Sequence, residues 1–213
     1  MQRARAWHAV TAAVATFAVL FQLVLVVQGG RVLDETGEPD PLGTRLWHFI
    51  AYFTVQSNIL VAVTAAQLAR DPARDGSTWR IVRLAAVVGI TVTGVVHFLL
   101  LRPLLDLNGS DWVADKLLHM VVPVLAFVGW ALVGPRPRID WREIRWAVCW
   151  PLAWLAVILV LGAATGWYPY PFLDHREPEG TAGVVVTSIG ITVFFLVLFW
   201  MARLYDRRAS VAP

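Results

Sequence analysis

The sequence predicts an all-α protein that crosses the membrane repeatedly, as one bundle of six transmembrane helices. Its composition is the first reason, because 58% of the 213 residues are hydrophobic and only 15% are charged. Soluble proteins carry about 25% charged residues. The apolar residues also gather into long runs, and the arginines into the short segments between them. Together these features indicate a membrane protein with a single domain that spans residues 1–213.

Six apolar runs are each close to the roughly 20 residues that a helix needs to cross a bilayer. The predicted spans are Trp7–Gln28, Trp47–Ala69, Trp79–Leu101, Asp115–Val133, Ile144–Ala164 and Thr181–Arg203. The first two are joined by an acidic loop, Gly29–Leu46, and the last two by an aromatic, proline-rich loop, Thr165–Gly180.

Lysine and arginine are distributed unevenly between the two sides of the predicted bundle. One side holds thirteen of the 18 basic residues and the other holds five. Under the positive-inside rule both termini lie in the cytoplasm, and the acidic and aromatic loops face outward. We therefore expect a multi-pass protein of the plasma (inner) membrane. The loop arginines also account for the pI of about 9.5, so no nucleic-acid partner is expected.

The sequence contains few candidate ligands for a metal ion or other cofactor. Cys149 is the only cysteine, which excludes an intrachain disulfide and a cysteine-based metal site. No HxxxH pattern is present, so we predict no metal site and no cofactor.

A polar cluster interrupts the second span. Thr54, Gln56, Ser57 and Asn58 fall within five consecutive positions of an otherwise apolar run. Polar groups are costly in hydrocarbon unless something pairs with them, so such a cluster is expected to face the protein interior or a wet cavity. With a rise of ~1.5 Å per residue, Thr54 lies ~10 Å below the outer end of its span.

Other spans place polar groups in the same layer of the outer half. His97 and His119 each lie ~6 Å below the outer ends of their spans, and Ser188 of the last span falls in the same half. A histidine activates a hydroxyl by taking its proton. The set therefore suits nucleophilic catalysis, with Asn58 or Gln56 donating to an oxyanion.

Each of these residues also has an ordinary structural explanation. A threonine in a membrane helix often donates to the carbonyl one turn back. Ser57 and Asn58 are typical of polar contacts between helices, and His97 is typical of a residue near the bilayer surface. Asp115 lies four positions before His119, so it either orients the imidazole or is an exposed first-turn acid at a helix N-terminus. The sequence favours the exposed acid.

Three short blocks carry a family resemblance. YFTVQSN at Tyr52–Asn58, LLHMVVP at Leu117–Pro123 and GWYPYPFLDH at Gly166–His175 resemble the androgen-induced and ADTRP-type membrane hydrolases, and more closely their bacterial six-helix relatives. In the animal members a threonine and a histidine act as nucleophile and base, and the substrates are fatty acid esters of hydroxy fatty acids. The resemblance implies that Thr54 and His119 hold these roles and that a lipid ester is the substrate.

We therefore expect an integral-membrane lipid ester hydrolase whose partner is a membrane lipid or fatty acyl ester. The catalytic pair is Thr54 and His119. The predicted oxyanion or substrate-binding residues are Gln56, Ser57, Asn58, His97, Ser188, Tyr170 and His175, with the aromatic loop covering the site from outside.

Two hypotheses of other classes use the same polar layer. In one, the protein binds or carries a lipid without chemistry. In the other, His97 and His119 hold a haem iron between them as axial ligands, and the protein carries electrons.

Overall fold

The computed structural model describes residues 1–30, 40–135 and 139–209. Within these ranges every regular element is helical, which confirms the predicted all-α class. Half of the predicted acidic loop, residues 31–39, lies outside the described residues.

The helices are α1 (Gln2–Val27), α2 (Leu42–Ala51), α3 (Phe53–Arg70), α4 (Ser77–Val96), α5 (Gly109–Lys116), α6 (Val122–Val128), α7 (Trp141–Thr165) and α8 (Gly180–Ala209). In the described part of the chain, π-helical turns at His97–Leu101, Leu117–Val121 and Gly129–Val133 follow α4, α5 and α6. Short 3₁₀ turns cover Arg102–Leu104 and Pro171–Leu173.

Several of these helices have the length and apolar character of membrane spans. Among the described residues there are five such segments, and a sixth if α2 and α3 form one bent span. The five are Gln2–Val27, Ser77–Leu104, Gly109–Val133, Trp141–Thr165 and Gly180–Arg207. The chain is therefore a membrane protein in its general class, and the number six stays a prediction.

The predicted second span, Trp47–Ala69, is not one straight helix. The axes of α2 and α3 differ by 67°, and Tyr52 between them has an extended ψ of 127°. The Tyr52 N–H still donates to the His48 carbonyl, and its own carbonyl accepts from the N–H groups of Val55 and Gln56. The bend keeps these hydrogen bonds and involves no proline, which is the usual sequence sign of a kink. The hydrophobicity of the sequence therefore did not reveal it.

Contacts within the chain define two compact units, Met1–Arg136 and Pro137–Pro213. The single-domain prediction stays a prediction. In the first unit α3 packs along both α1 and α4. Small side chains let helix backbones approach closely, and the core of this unit is rich in them. That core consists of Ala15, Ala18, Val61, Ala86, Ile90, Leu118, Val122 and Ala126.

The second unit contains α7, the aromatic loop and α8. A capping box of Asp140 and Glu143 begins α7, which satisfies backbone N–H groups that the first turn leaves open. Near the other end of α7, a Cβ atom on Gly162 would lie 2.0 Å from the Tyr168 ring. The missing side chain therefore lets Tyr168 fold back against the helix.

Candidate active site

Thr54 and His119 come together in the first unit. The Thr54 Oγ1 lies 3.3 Å from the His119 Nε2, although 65 residues separate them. Thr54 is buried, with 6% of its surface exposed. This pair is the one that the resemblance implied, and the distance is just above the ~2.6–3.2 Å of a catalytic hydrogen bond, as is common before substrate binds.

Asp115 completes a chain of three side chains. The His119 Nδ1 lies 3.0 Å from the Asp115 Oδ1 and 3.1 Å from the Asp115 backbone oxygen. Both oxygens are acceptors, so the imidazole carries its proton on Nδ1 and leaves Nε2 free to accept the threonine proton. The same order of hydroxyl, imidazole and carboxylate defines the triads of serine hydrolases.

The structure corrects the sequence interpretation of Asp115 as an exposed acid, because only 6% of its surface is exposed. The Lys116 ammonium lies 2.8 Å from the Asp115 Oδ2, and also 5.4 Å from the Trp112 ring centroid. Burying a carboxylate is costly without such a partner. Lys116 therefore balances the charge of Asp115 while the other oxygen, Oδ1, faces the histidine.

His97 is a second imidazole at the same carboxylate. Its Nε2 lies 3.1 Å from the Asp115 Oδ1, but the N–H is not aligned for a hydrogen bond. Its ring stacks on the His119 ring, with centroids 3.9 Å apart and planes 13° from parallel. His97 is 2% exposed. The predicted role in binding substrate or oxyanion does not follow from these contacts, which are with the triad itself.

Local helix geometry brings the two histidines together. His97 begins the π-helical turn that follows α4, and His119 lies inside the π-helical turn that joins α5 to α6. Such single turns are frequent at functional sites. Gly94, one turn before His97, lets the two segments approach closely. A Cβ on Gly94 would lie 3.1 Å from the His119 carbonyl oxygen and 3.2 Å from the Pro123 Cβ.

Thr54 lies in the first turn of α3, immediately after the bend. The helix begins at Phe53, so Thr54 is its second residue. The N-terminus of a helix carries partial positive charge. A negative charge that develops on an atom bound to the Thr54 oxygen would therefore lie near the favourable end of α3.

The predicted oxyanion donors have other partners. The Asn58 amide donates to the Thr54 carbonyl at 2.8 Å and to the Leu118 carbonyl at 3.3 Å. Both of its hydrogens are thereby used, so the predicted role of Asn58 as an oxyanion donor is not supported by its geometry. The Gln56 amide donates to the Ile50 carbonyl at 3.1 Å.

Ser57 and Asn58 instead join helices. Ser57 is fully buried, and its hydroxyl lies 3.4 Å from the Thr93 hydroxyl of α4. Asn58 is also fully buried and links α3 to the segment of His119 through the Leu118 carbonyl. These contacts match the ordinary structural explanation for polar residues in a helix bundle.

Three predicted substrate-binding residues lie in the second unit. Tyr170 is buried and stacks on Phe172, with centroids 5.2 Å apart. The His175 Nδ1 lies 3.3 Å from the Tyr168 hydroxyl, and Ser188 lies in α8 with its hydroxyl buried. Their participation in the site of the first unit stays a prediction.

The geometry of the histidine pair also bears on metal and haem binding. One donor atom each from His97, Asp115 and His119 lies within 4.8 Å of the others, although the sequence has no HxxxH pattern. A metal must lie near the plane of each imidazole that binds it. With the two planes nearly parallel and the centroids 3.9 Å apart, no single position satisfies both rings. The arrangement therefore favours acid–base chemistry over a shared metal.

The same stacking does not fit the haem hypothesis. Axial histidines approach an iron from opposite faces of the porphyrin, with their ring edges toward it. His97 and His119 instead face each other at 3.9 Å, which leaves no room for a porphyrin between them.

Comparisons with protein-family models, with curated proteins and with solved structures find no match for this chain. The geometry of the site and the sequence resemblance are therefore the basis for a proposed function.

Proposed function

We propose that the protein is an integral-membrane hydrolase of lipid esters, with Thr54 as nucleophile, His119 as base and Asp115 as the carboxylate that orients the base. The observation that carries this proposal is the continuous chain of contacts from the Thr54 hydroxyl through both nitrogens of His119 to Asp115. The family resemblance of the sequence supports the same two residues as nucleophile and base.

In the first half of the reaction, the His119 Nε2 takes the proton of the Thr54 hydroxyl. The Thr54 oxygen attacks the ester carbonyl carbon and forms a tetrahedral intermediate. When this intermediate collapses, the alcohol leaves with the proton from His119, and the acyl group stays on Thr54. In the second half, His119 takes a proton from water, the water oxygen attacks the acyl group, and the fatty acid and the free Thr54 hydroxyl are released.

Charge balance favours this sequence in a buried site. The negative charge of Asp115 is matched by Lys116 before the reaction. In the tetrahedral intermediate, the new imidazolium of His119 is matched by the new oxyanion. The oxyanion forms next to the N-terminus of α3, where the helix dipole stabilises negative charge.

A lipid substrate agrees with the surface around the site. The residues next to the two histidines are apolar and exposed, with Phe98 61%, Leu99 62% and Met120 45% accessible. In a bilayer such side chains contact acyl chains. We infer that the substrate enters sideways from the lipid, in the outer half of the plasma membrane, with both termini of the protein in the cytoplasm.

Ester hydrolysis tests the proposal directly. Purified protein in lipid nanodiscs should release fatty acid from a fatty acid ester of a hydroxy fatty acid, or from a fluorogenic long-chain acyl ester. His119→Ala should lower the rate by at least ~10³-fold, because the hydroxyl loses its base. Release of fatty acid is measured by mass spectrometry or fluorescence.

His8→Ala is the matched control. His8 is also a buried histidine of the first unit, and its Nε2 lies 2.7 Å from the Gly134 carbonyl oxygen rather than at the site. Thermal unfolding shows that each variant is folded. Hydrolysis by folded His119→Ala at the wild-type rate would contradict the proposal. Tight lipid binding without turnover by the wild type would favour the lipid-carrier hypothesis instead.

Gly94→Ala tests whether the close approach of the two helical segments matters. The added methyl group must push the His119 backbone or Pro123 away, which moves the base relative to Thr54. We expect hydrolysis to fall by ~10-fold or more, because small misplacements of catalytic groups are costly. Gly43→Ala is the control, since a Cβ there meets nothing within 4 Å. Equal rates for the two variants would show that this contact does not position the base.

A further inference from the structure

We propose that His97 is a positioning residue whose ring, stacked on His119, holds the plane of the base. The inference deepens the proposed function, and its kinetic part rests on that function. It assigns to His97 a role that differs from substrate or oxyanion binding.

The position of the His97 ring is not explained by hydrogen bonds of its own. It is 2% exposed, and neither ring nitrogen has an aligned partner among the described residues. Buried polar groups in that condition cost free energy. The ring makes two close contacts, the approach of its Nε2 to within 3.1 Å of the Asp115 Oδ1 and the stacking on His119, with centroids 3.9 Å apart. Both contacts place the ring against the triad, and the stacking is the one that touches the base.

The hydrogen-bonding contacts of the base are made by its two ring nitrogens, whereas the stacking is made by a face of the ring. Both acceptors of its Nδ1 belong to Asp115. These contacts resist rotation about the Cβ–Cγ bond, and the stacked ring adds a steric barrier to it. Turning would swing the Nε2 away from the Thr54 hydroxyl, which lies 3.3 Å away. A flat ring on the face of His119 blocks this motion, because the edge of the turning ring would strike it.

The two stacked rings belong to different helical segments. Because His97 comes from the end of α4 and His119 from the segment after α5, the stacking also ties the position of the base to a second helix.

The kinetic test compares two replacements of His97. His97→Phe keeps a flat ring on His119, and His97→Ala removes it. With a fluorophosphonate probe in nanodiscs, we expect His97→Ala to lower the maximal labelling rate by ~10- to 100-fold with unchanged half-saturation by the probe. His97→Phe should keep that rate within ~10-fold of the wild type. His8→Ala, checked by thermal unfolding, controls for loss of a buried histidine away from the site.

A second readout needs no reaction. In ¹H–¹³C spectra of histidine-labelled protein, the ring current of His97 should hold the His119 Cε1–H resonance upfield. That resonance should move downfield in His97→Ala and stay upfield in His97→Phe. If the probe does not label the wild-type protein, the proposed function is wrong. The spectra would still show whether the two rings are stacked. The positioning role is overturned if folded His97→Ala labels at the wild-type rate, if His97→Phe is as slow as His97→Ala, or if the His119 resonance does not move.

Discussion

Asp115→Asn should slow covalent labelling by a fluorophosphonate by ~10³- to 10⁴-fold, as loss of the carboxylate does in hydrolytic triads. An asparagine side chain has nearly the same shape, so the helix and the packing around His119 should persist. Its amide can present an N–H to the His119 Nδ1, which favours the tautomer with the proton on Nε2. That tautomer cannot accept the threonine proton. The measurement is the labelling rate in nanodiscs, with thermal unfolding as the test of folding.

Asp111→Asn provides the control for Asp115. Asp111 lies one turn earlier on the same helix, α5. Its replacement by asparagine removes the same charge from that helix. We expect this variant to label within ~3-fold of the wild type, as surface substitutions usually change little. If folded Asp115→Asn also labelled at the wild-type rate, the carboxylate would have no part in activating the base.

Thr54→Val should abolish labelling, whereas Thr54→Ser should keep it within ~10-fold of the wild type. Valine has nearly the shape of threonine but lacks the hydroxyl that attacks the probe. Serine keeps the hydroxyl and loses one methyl group, so its oxygen is held less firmly. The rate is measured as incorporation of a fluorescent fluorophosphonate into folded protein.

Thr64→Val is the matched control for this pair. Thr64 lies on the same helix and is equally buried, but its hydroxyl donates to the Leu60 carbonyl one turn back at 2.8 Å. The Thr64→Val protein should be labelled at the wild-type rate. Labelling of Thr54→Val would mean that another side chain is the nucleophile.

Much of this site was open to prediction from the sequence, because depth in the membrane is a property of position along a span. Thr54, His97 and His119 were expected in one layer, and the structure places both Thr54 and His97 in contact with His119. The helical class and the apolar spans followed from composition and from the lengths of the apolar runs. These features depend on local periodicity, which the sequence shows directly.

The orientation of individual side chains was not open to prediction in the same way. Asp115 and His119 had the spacing of a triad, but burial decides between an orienting carboxylate and an exposed acid. That burial depends on partners from other segments, including α1 and His97. Asn58 shows the opposite. Its amide has the right chemistry to donate to an oxyanion, but it donates to two backbone carbonyls instead. The bend at Tyr52 puts Thr54 at a helix N-terminus. Neither proline nor glycine lies at this bend, so the sequence did not indicate it.

Peptide mass spectrometry of the fluorophosphonate adduct asks whether Thr54 is the nucleophile. The purified wild-type protein is labelled to completion in nanodiscs, digested, and the modified residue is located by fragmentation. We expect the adduct on Thr54, and its loss in His119→Ala. An adduct on Ser57, on a tyrosine or on a histidine in place of Thr54, or no adduct on folded wild-type protein, would contradict it.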